Sequence, residues 1–87
     1  MTVGSSEQEM LASIIQWESH GDPWATNGPY KGIGQLNESY YPKYVGMTWE
    51  QCAGNYDIQY TAMYKYIMAV YGSVEGAYNH HLAYHWY

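Results

Sequence analysis

The chain has 87 residues, 47% of them hydrophobic, so it is long enough for one domain and too apolar to be disordered. Three lysines, no arginine and eight acidic residues give a formal net charge of −5 at pH 7, which disfavours nucleic acid and anionic membranes as partners. No apolar run approaches the ~20 residues of a membrane span, so no membrane insertion is expected, and no signal peptide is recognisable. We therefore expect one monomeric domain over residues 1–87, with residues 1–5 frayed.

Cysteine and aromatic content limit the kinds of site that the chain can hold. Cys52 is the single cysteine, so it forms no internal disulfide, and no Cys/His spacing resembles a zinc site. We predict no metal and no cofactor, and we expect Cys52 to be buried. Twelve tyrosines and four tryptophans, with no phenylalanine, suit either a tyrosine-built core or a groove of aromatic platforms for sugar rings.

A first helix is predicted to begin at a capping box, with Ser6 as N-cap and Glu9 at the third helical position. Its apolar residues recur at helical spacing, and Glu18 falls on or near that stripe, beside Trp17. The segment 21–23, Gly-Asp-Pro, ends the helix and places Glu18 in its last turn, at the edge of a loop.

The segment 21–34 is rich in glycine and proline and is predicted to be a loop. Asn27-Gly28 suits a tight turn, so a short β-hairpin around Tyr30 is predicted inside this loop. A second helix is predicted over residues 34–41, ending at Pro42. A loop of this length in a compact domain usually carries function.

Three capping residues predict the remaining helices. Thr48 caps a short turn over residues 49–53, Asn55 caps a longer helix over residues 56–71 that Gly72 closes, and Ser73 caps a last helix that reaches about Tyr84. The sequence thus predicts a mainly α fold, with four helical pieces around one long loop.

Glu18 is the candidate for acid chemistry. Cleavage of a glycosidic bond needs a proton donor for the leaving oxygen, and a carboxylic acid serves when apolar surroundings keep it protonated near the working pH. Glu18 lies beside Trp17 on the apolar side of its helix. A solvated glutamate at a helix end is the alternative interpretation, and spacing alone does not decide between the two.

Three short motifs follow one another along the chain. They are Glu18-Ser19-His20-Gly21-Asp22-Pro23, then Tyr30-Lys31-Gly32-Ile33-Gly34-Gln35, and then Ala77-Tyr78-Asn79. In this order they resemble the Glu-Ser-Gly-Gly-Asn/Asp-Pro, Gly-Leu-Met-Gln and Ala-Tyr-Asn-Ala-Gly segments of soluble lytic transglycosylases. The ending His85-Trp86-Tyr87 is similar to the Gly-Trp-Tyr that closes the aggregation-promoting factors of lactobacilli and related compact lysozyme-like domains.

The resemblance implies a small lysozyme-like helical domain that cleaves peptidoglycan between N-acetylmuramic acid and N-acetylglucosamine and leaves 1,6-anhydro ends. It implies Glu18 as general acid and then base, with peptidoglycan glycan strands as the partner. It also implies a secreted or cell-wall-associated protein of bacterial or phage origin. The residues that it places around the acid or the substrate are Ser19, Tyr30, Gln35, Tyr78 and Asn79.

Within that set the resemblance gives separate roles, and each has an alternative. The Ser19 hydroxyl would orient the acid, but it also suits a helix cap. Tyr78 would hydrogen-bond Glu18, but it also suits the core. Gln35 would contact the sugar or line the cleft floor, but its amide also suits bracing of the loop.

Departures from the family pattern carry further expectations. Gly34 stands where Met or Phe is usual, which suggests a more open cleft floor. His80 and His81 replace Ala-Gly after the third motif. They add bulk and titratable groups near the site unless they face solvent, and the surface is the position that we expect for them. We expect Asp22 to brace a turn and Glu38 to be exposed, so neither is expected to supply a second catalytic carboxylate.

Two other functions remain open at this stage. A peptidoglycan-binding or cell-aggregation module would keep the fold but cut little, which fits the short chain and the altered histidine positions. An unrelated interaction domain would use its tyrosines and tryptophans to pack against a protein partner.

Overall fold

The computed structural model describes residues 5–87, and the architecture in that range is mainly helical. The helices are α1 Ser5–Ser19, α2 Tyr40–Val45, α3 Trp49–Cys52, α4 Tyr56–Tyr71 and α5 Val74–Tyr84, and a small sheet holds strands β1 Thr26–Asn27, β2 Tyr30–Lys31 and β3 Leu36–Asn37. The predicted mainly α domain with a short β-hairpin is confirmed. Within residues 5–87, no helix is long and apolar enough to cross a bilayer.

Helix α1 begins earlier than the capping box indicates. Ser5 already belongs to the helix, so the prediction that Ser6 is its N-cap is wrong. Of the residues expected to be frayed, Ser5 is therefore helical and residues 1–4 lie outside the described range. The end of α1 agrees with the prediction, because His20 and Gly21 adopt positive φ angles of 56° and 79° that cannot continue a helix.

The helices pack in a chain of contacts around one core. Helix α1 packs against α5, α5 against α4, and α4 against α2. Fully buried apolar side chains come from the stripe of each long helix, and they include Leu11, Ile14, Met63, Ile67, Val74 and Ala77. Each large side chain buried there contributes about 1.5–3 kcal/mol, so this core fixes the end of α1 against α5.

The sheet is antiparallel and has the order β1-β2-β3, with Thr26 opposite Lys31, and Tyr30 opposite Asn27 on one side and Asn37 on the other. Gly28 begins the two-residue turn between β1 and β2 and has a φ of +63°, which a residue with a side chain rarely adopts. The hairpin predicted around Tyr30 is therefore confirmed, and a third strand extends it.

The second helix predicted over residues 34–41 is wrong. Gln35 has a φ of +51°, which interrupts any helix there, and the chain then pairs as β3 with β2. Helix α2 begins only at Tyr40, and Pro42 lies in its first turn instead of ending it. Proline is tolerated there because the first backbone N–H groups of a helix have no intrahelical partner.

The other three helices follow their predicted caps. The Thr48 side chain accepts a hydrogen bond from the Gln51 backbone while the Gln51 side chain accepts from the Thr48 backbone, and Asn55 and Ser73 accept from the backbones of Ile58 and Gly76. Gly72, with a φ of +76°, closes α4 as predicted. Helix α3 ends at Cys52, one residue earlier than predicted, and the Cys52 side chain is buried as expected.

One buried amide ties the long loop to α4. The Gln59 side chain is 1% exposed, and its Nε2 donates to the carbonyls of Pro23 and Cys52, each at 2.8 Å. Its Oε1 accepts from the Ile33 backbone N–H at 2.9 Å. Gly32 is required beside it, since a Cβ there would lie 2.6 Å from the Gln59 Oε1. Gln59 therefore fixes both ends of the 21–34 segment.

Tyrosine supplies much of the aromatic core, as one of the two interpretations of the composition anticipates. Tyr41 is fully buried and its hydroxyl donates to the Lys31 carbonyl at 2.6 Å. Burial raises the pKa of the Tyr41 phenol well above 10, and burial followed by the charges of neighbouring phenols does the same to the pKa of Tyr66. Both phenols are therefore neutral in the folded protein.

We expect the protein to lose stability as the pH rises above about 10. A phenol whose pKa is higher in the folded than in the unfolded state stabilises the fold fully below the unfolded pKa, and this contribution is lost as the pH rises toward the folded pKa. Urea unfolding between pH 8 and about 11 measures the slope with which the free energy of unfolding falls as the pH rises. Tyr41→Phe should reduce it and the exposed Tyr56→Phe should not, whereas a free energy of unfolding that stays constant over this range would contradict the expectation.

Candidate functional site

Glu18 and His81 meet where α1 packs against α5. Glu18 lies in the last turn of α1, as predicted, and its Oε1 is 2.8 Å from Nε2 of His81. The Glu18 side chain is 20% exposed and the His81 side chain 8%. A carboxylate only accepts hydrogen bonds, so the His81 Nε2 donates whenever Glu18 is ionised.

The expectation that the histidines after the third motif lie at the surface is wrong for His81. Its ring packs against Trp17, with ring centroids 4.8 Å apart, and near Tyr87 at 6.1 Å. Val74, Ala77 and His81 form the buried stripe of α5. Their spacing of three and then four residues is the sequence signal that could have placed His81 inside. His80, one position away, is only half-buried and faces other aromatic rings.

A groove opens beside the Glu18 carboxyl group. One pocket of about 300 Å³ is lined by Glu18, Asn27, Tyr30, Gln35, His85, Trp86 and Tyr87. A neighbouring pocket of about 210 Å³ shares four of these residues and extends toward β3 and α2. We call the two together the Glu18 groove. Aromatic and polar side chains line it along its whole length, and Glu18 lies in the first of the two pockets.

Tyr87 fills the floor of the Glu18 groove. Its hydroxyl donates to the Gly34 carbonyl at 2.6 Å, and a Cβ on Gly34 would lie 2.5 Å from that hydroxyl and 3.1 Å from Met63. Burial, and next the charge of Glu18, raise the pKa of the Tyr87 phenol well above 10. The expectation of a more open floor at Gly34 is therefore wrong, because a tyrosine from the end of the chain occupies that space.

Gln35 both lines the groove and braces the loop, the two roles that were considered for it. It lines the Glu18 groove, as the resemblance implies, but its Nε2 donates to the Gly32 carbonyl at 2.9 Å and to the Ala25 carbonyl at 3.4 Å. The amide therefore braces the loop, and its groove-facing surface is held in place by those bonds. Tyr30 lines the same groove from β2 and is 51% exposed.

The remaining predicted residues lie outside the groove lining. The Ser19 hydroxyl donates to the Ile33 carbonyl at 2.7 Å and accepts from the Gly21 N–H at 3.1 Å, so it ties the end of α1 to the loop. Tyr78 stacks on Trp17 with centroids 5.7 Å apart, and Asn79 is exposed on α5. Within residues 5–87, the side chain that hydrogen-bonds Glu18 is His81, where the resemblance implies Ser19 and Tyr78.

Glu18 is the only carboxylate among the described residues that line the groove. Asp22 accepts from the Trp24 backbone at 2.9 Å and braces its turn, as predicted. Glu38 is exposed and lies 4.0 Å from the Lys31 ammonium. A mechanism that needs two carboxylates about 5–10 Å apart therefore has no second partner in this groove.

A second, larger pocket lies on the other side of His81. It has a volume of about 650 Å³ and is lined by Gln16, Trp17, His20, His81, Leu82 and His85. Glu18 lines the groove, His81 lines this pocket and His85 lines both, so the Glu18–His81 contact lies between the two.

The chain was compared with protein-family models, with curated proteins and with solved structures, and none of the three comparisons found a match. The sequence did not identify His81, which contacts Glu18, nor four residues that line the pocket beside it, namely Asn27, His85, Trp86 and Tyr87. Function must therefore be inferred from the residues of the Glu18 groove and their geometry.

Proposed function

We propose that the chain cleaves peptidoglycan glycan strands between N-acetylmuramic acid and N-acetylglucosamine, with Glu18 as general acid and then base. The observation that carries the proposal is a part-buried carboxyl group in a groove lined by aromatic and polar side chains. Such a groove suits a sugar, whose apolar ring faces pack on aromatic side chains while its hydroxyls find polar edges. A substrate of this kind makes a secreted or wall-associated protein part of the proposal.

The proposed chemistry uses one carboxyl group. With Oε1 turned to His81, the other carboxyl oxygen of Glu18 is available to give its proton to the leaving glycosidic oxygen. The resulting carboxylate then takes the proton from the C6 hydroxyl of the muramic residue as that oxygen attacks C1. This closes a 1,6-anhydro ring, breaks the glycosidic bond and returns Glu18 to its starting form. The lack of a second carboxylate in the groove lining supports this outcome over hydrolysis.

Product analysis tests the reaction. Purified peptidoglycan would be digested with the wild-type protein, with Glu18→Gln and with Glu50→Gln, an exposed glutamate on α3 outside the groove. We expect muropeptides with anhydro ends, lighter by one water than hydrolysis products, from the wild type and Glu50→Gln alone. Release of equal amounts of muropeptides by Glu18→Gln would contradict the proposal. Hydrated ends would show that the protein acts as a hydrolase and not as a transglycosylase.

We expect Trp86→Ala to raise KM about tenfold, a loss of about 1.4 kcal/mol, with little change in kcat. Trp86 is 58% exposed on the groove wall and is held there by the His80 ring, 4.4 Å away. It is therefore placed to bind a sugar ring without touching the reacting atoms. Rates measured against soluble glycan fragments give the two constants. Trp24→Ala, an exposed tryptophan outside the groove, serves as control, and an unchanged KM for Trp86→Ala would remove Trp86 from the site.

A peptidoglycan-binding module with little turnover is the second candidate, and the Glu18–His81 contact favours it. If His81 is protonated, the two side chains form an ion pair 2.8 Å apart that holds Glu18 ionised and unable to donate a proton. This function predicts retention on insoluble peptidoglycan that is equal for the wild type and Glu18→Gln, together with no released fragments. Absence of retention would remove it.

A further inference from the structure

We propose that His81 is a positioning residue that holds Glu18 and shares one proton with it, so that the pair, and not Glu18 alone, responds to pH. The inference rests on the proposed function, since Glu18 is the acid of the proposed reaction. The resemblance gives no role to a histidine at this position, and the sequence placed it at the surface.

The geometry leaves the imidazole little freedom. The Nε2–Oε1 distance of 2.8 Å is a hydrogen bond, and the pair is mostly withdrawn from water. Trp17 packs on the ring and Tyr87 lies near it. Turning the imidazole away from Glu18 would break that packing and leave a part-buried carboxyl group without its partner. His81 therefore fixes which oxygen of Glu18 remains free for the groove.

The hydrogen bond allows the proton to lie on either group. When the pair gains one proton, the first arrangement is an imidazolium beside the Glu18 carboxylate. In the second arrangement the proton lies on the groove-facing carboxyl oxygen of Glu18, and a neutral imidazole keeps its hydrogen on Nε2 and donates it to Oε1. Both arrangements contain the same number of protons, so their ratio does not depend on pH.

Two consequences follow for the acid form of Glu18. Its population is constant over the pH range in which the pair holds one proton, so the rate should be flat there. It is also the smaller of the two populations, because imidazole is a stronger base than a carboxylate. Imidazole therefore competes with Glu18 for the proton, while a neutral hydrogen-bonding residue at position 81 would not.

Other titratable groups face the pair and must be followed with it. Tyr30, His85 and Tyr87 face Glu18 across the groove, and His20 and His85 line the pocket on the other side of His81. Tyr87 stays neutral in weak acid, since burial and the Glu18 charge raise its pKa well above 10. His20 is exposed and does not line the Glu18 groove, so it serves as the internal reference.

The first test needs no activity. Nuclear magnetic resonance would follow the ring signals of the four histidines from pH 4 to 9 in the wild type and in Glu18→Gln, with His81 assigned from its contacts with Trp17. We expect the His81 midpoint to lie lower in Glu18→Gln than in the wild type, because the adjacent carboxylate, 2.8 Å away, favours the imidazolium. His20 should move much less. Equal His81 midpoints in the two proteins would overturn the inference.

The second test is the pH profile of kcat/KM for the wild type and His81→Gln, whose amide can donate to Glu18 but takes up no proton. We expect a flat wild-type profile in weak acid, and a His81→Gln value at least about tenfold higher near pH 5 that declines with rising pH. Parallel profiles would overturn the inference. A coupled His81 titration with no cleavage by any variant would instead contradict the proposed function and leave the shared proton standing.

Discussion

Glu18→Gln is expected to slow peptidoglycan cleavage by about 10²- to 10⁴-fold, the usual contribution of a general acid. Glutamine has nearly the same size and can still accept a hydrogen bond from His81, but it has no proton to give to the glycosidic oxygen. No other carboxylate among the described groove residues can replace it. We expect kcat to fall and KM to change little, because glutamine has the shape of glutamate and leaves the walls of the groove unchanged.

Two controls separate chemistry from folding and binding. Glu50→Gln makes the same charge change at an exposed position on α3 and should retain the wild-type rate. Retention of Glu18→Gln on insoluble peptidoglycan should equal that of the wild type, which shows an intact groove. A Glu18→Gln rate within about threefold of the wild type would exclude general acid catalysis by Glu18.

Local signals made most of the helical framework predictable. Thr48, Asn55 and Ser73 cap their helices by side-chain hydrogen bonds to backbone groups three positions on, so the information lies within a few residues. The hairpin around Tyr30 was predictable for the same reason, because a glycine in a two-residue turn joins β1 to β2.

The secondary-structure predictions that are wrong concern segments whose conformation depends on contacts between residues far apart in the sequence. Residues 34–41 were predicted to be helical because Pro42 looked like a helix end, but pairing of β3 with β2 holds the chain extended. Gln35 adopts an unfavourable positive φ there, and its side-chain amide donates a hydrogen bond to the Gly32 carbonyl. Single-sequence periodicity cannot weigh a cross-strand pairing against a short apolar run.

The site divides in the same way. Glu18 was identifiable from its motif and its place at a helix end, yet its partner His81 is 63 positions further along the chain. Nothing in local spacing joins those two residues, because their contact depends on how α5 packs against α1. Tyr87 is a similar case. Gly34 leaves room for the Tyr87 hydroxyl, but nothing in the sequence around either residue indicates that the two are in contact.

We expect Gln59→Leu to destabilise the fold by about 3 kcal/mol or more, which corresponds to a fall in Tm of roughly 12 °C or more for a domain of this size. Leucine fills a similar volume, so the effect comes from polar groups and not from a cavity. The substitution leaves the Ile33 N–H without its partner, while the carbonyls of Pro23 and Cys52 keep only the bonds that they accept from the Gly54 and Asn55 N–H groups. The unpaired Ile33 N–H costs about 1–3 kcal/mol and each of the two other lost bonds about 0.5–1.5 kcal/mol, so the total is a large part of the stability of a small domain.

Gln16→Leu is the matched control, because it makes the same chemical change at an exposed position of α1 and should alter stability by less than about 0.5 kcal/mol. Thermal and urea unfolding of the three proteins measure the difference. Since Gln59 fixes the loop that carries Tyr30 and Gln35, the remaining folded fraction of Gln59→Leu should also bind glycan fragments more weakly. A Gln59→Leu protein as stable as Gln16→Leu would mean that the loop is held by its packing and that the Gln59 amide is dispensable.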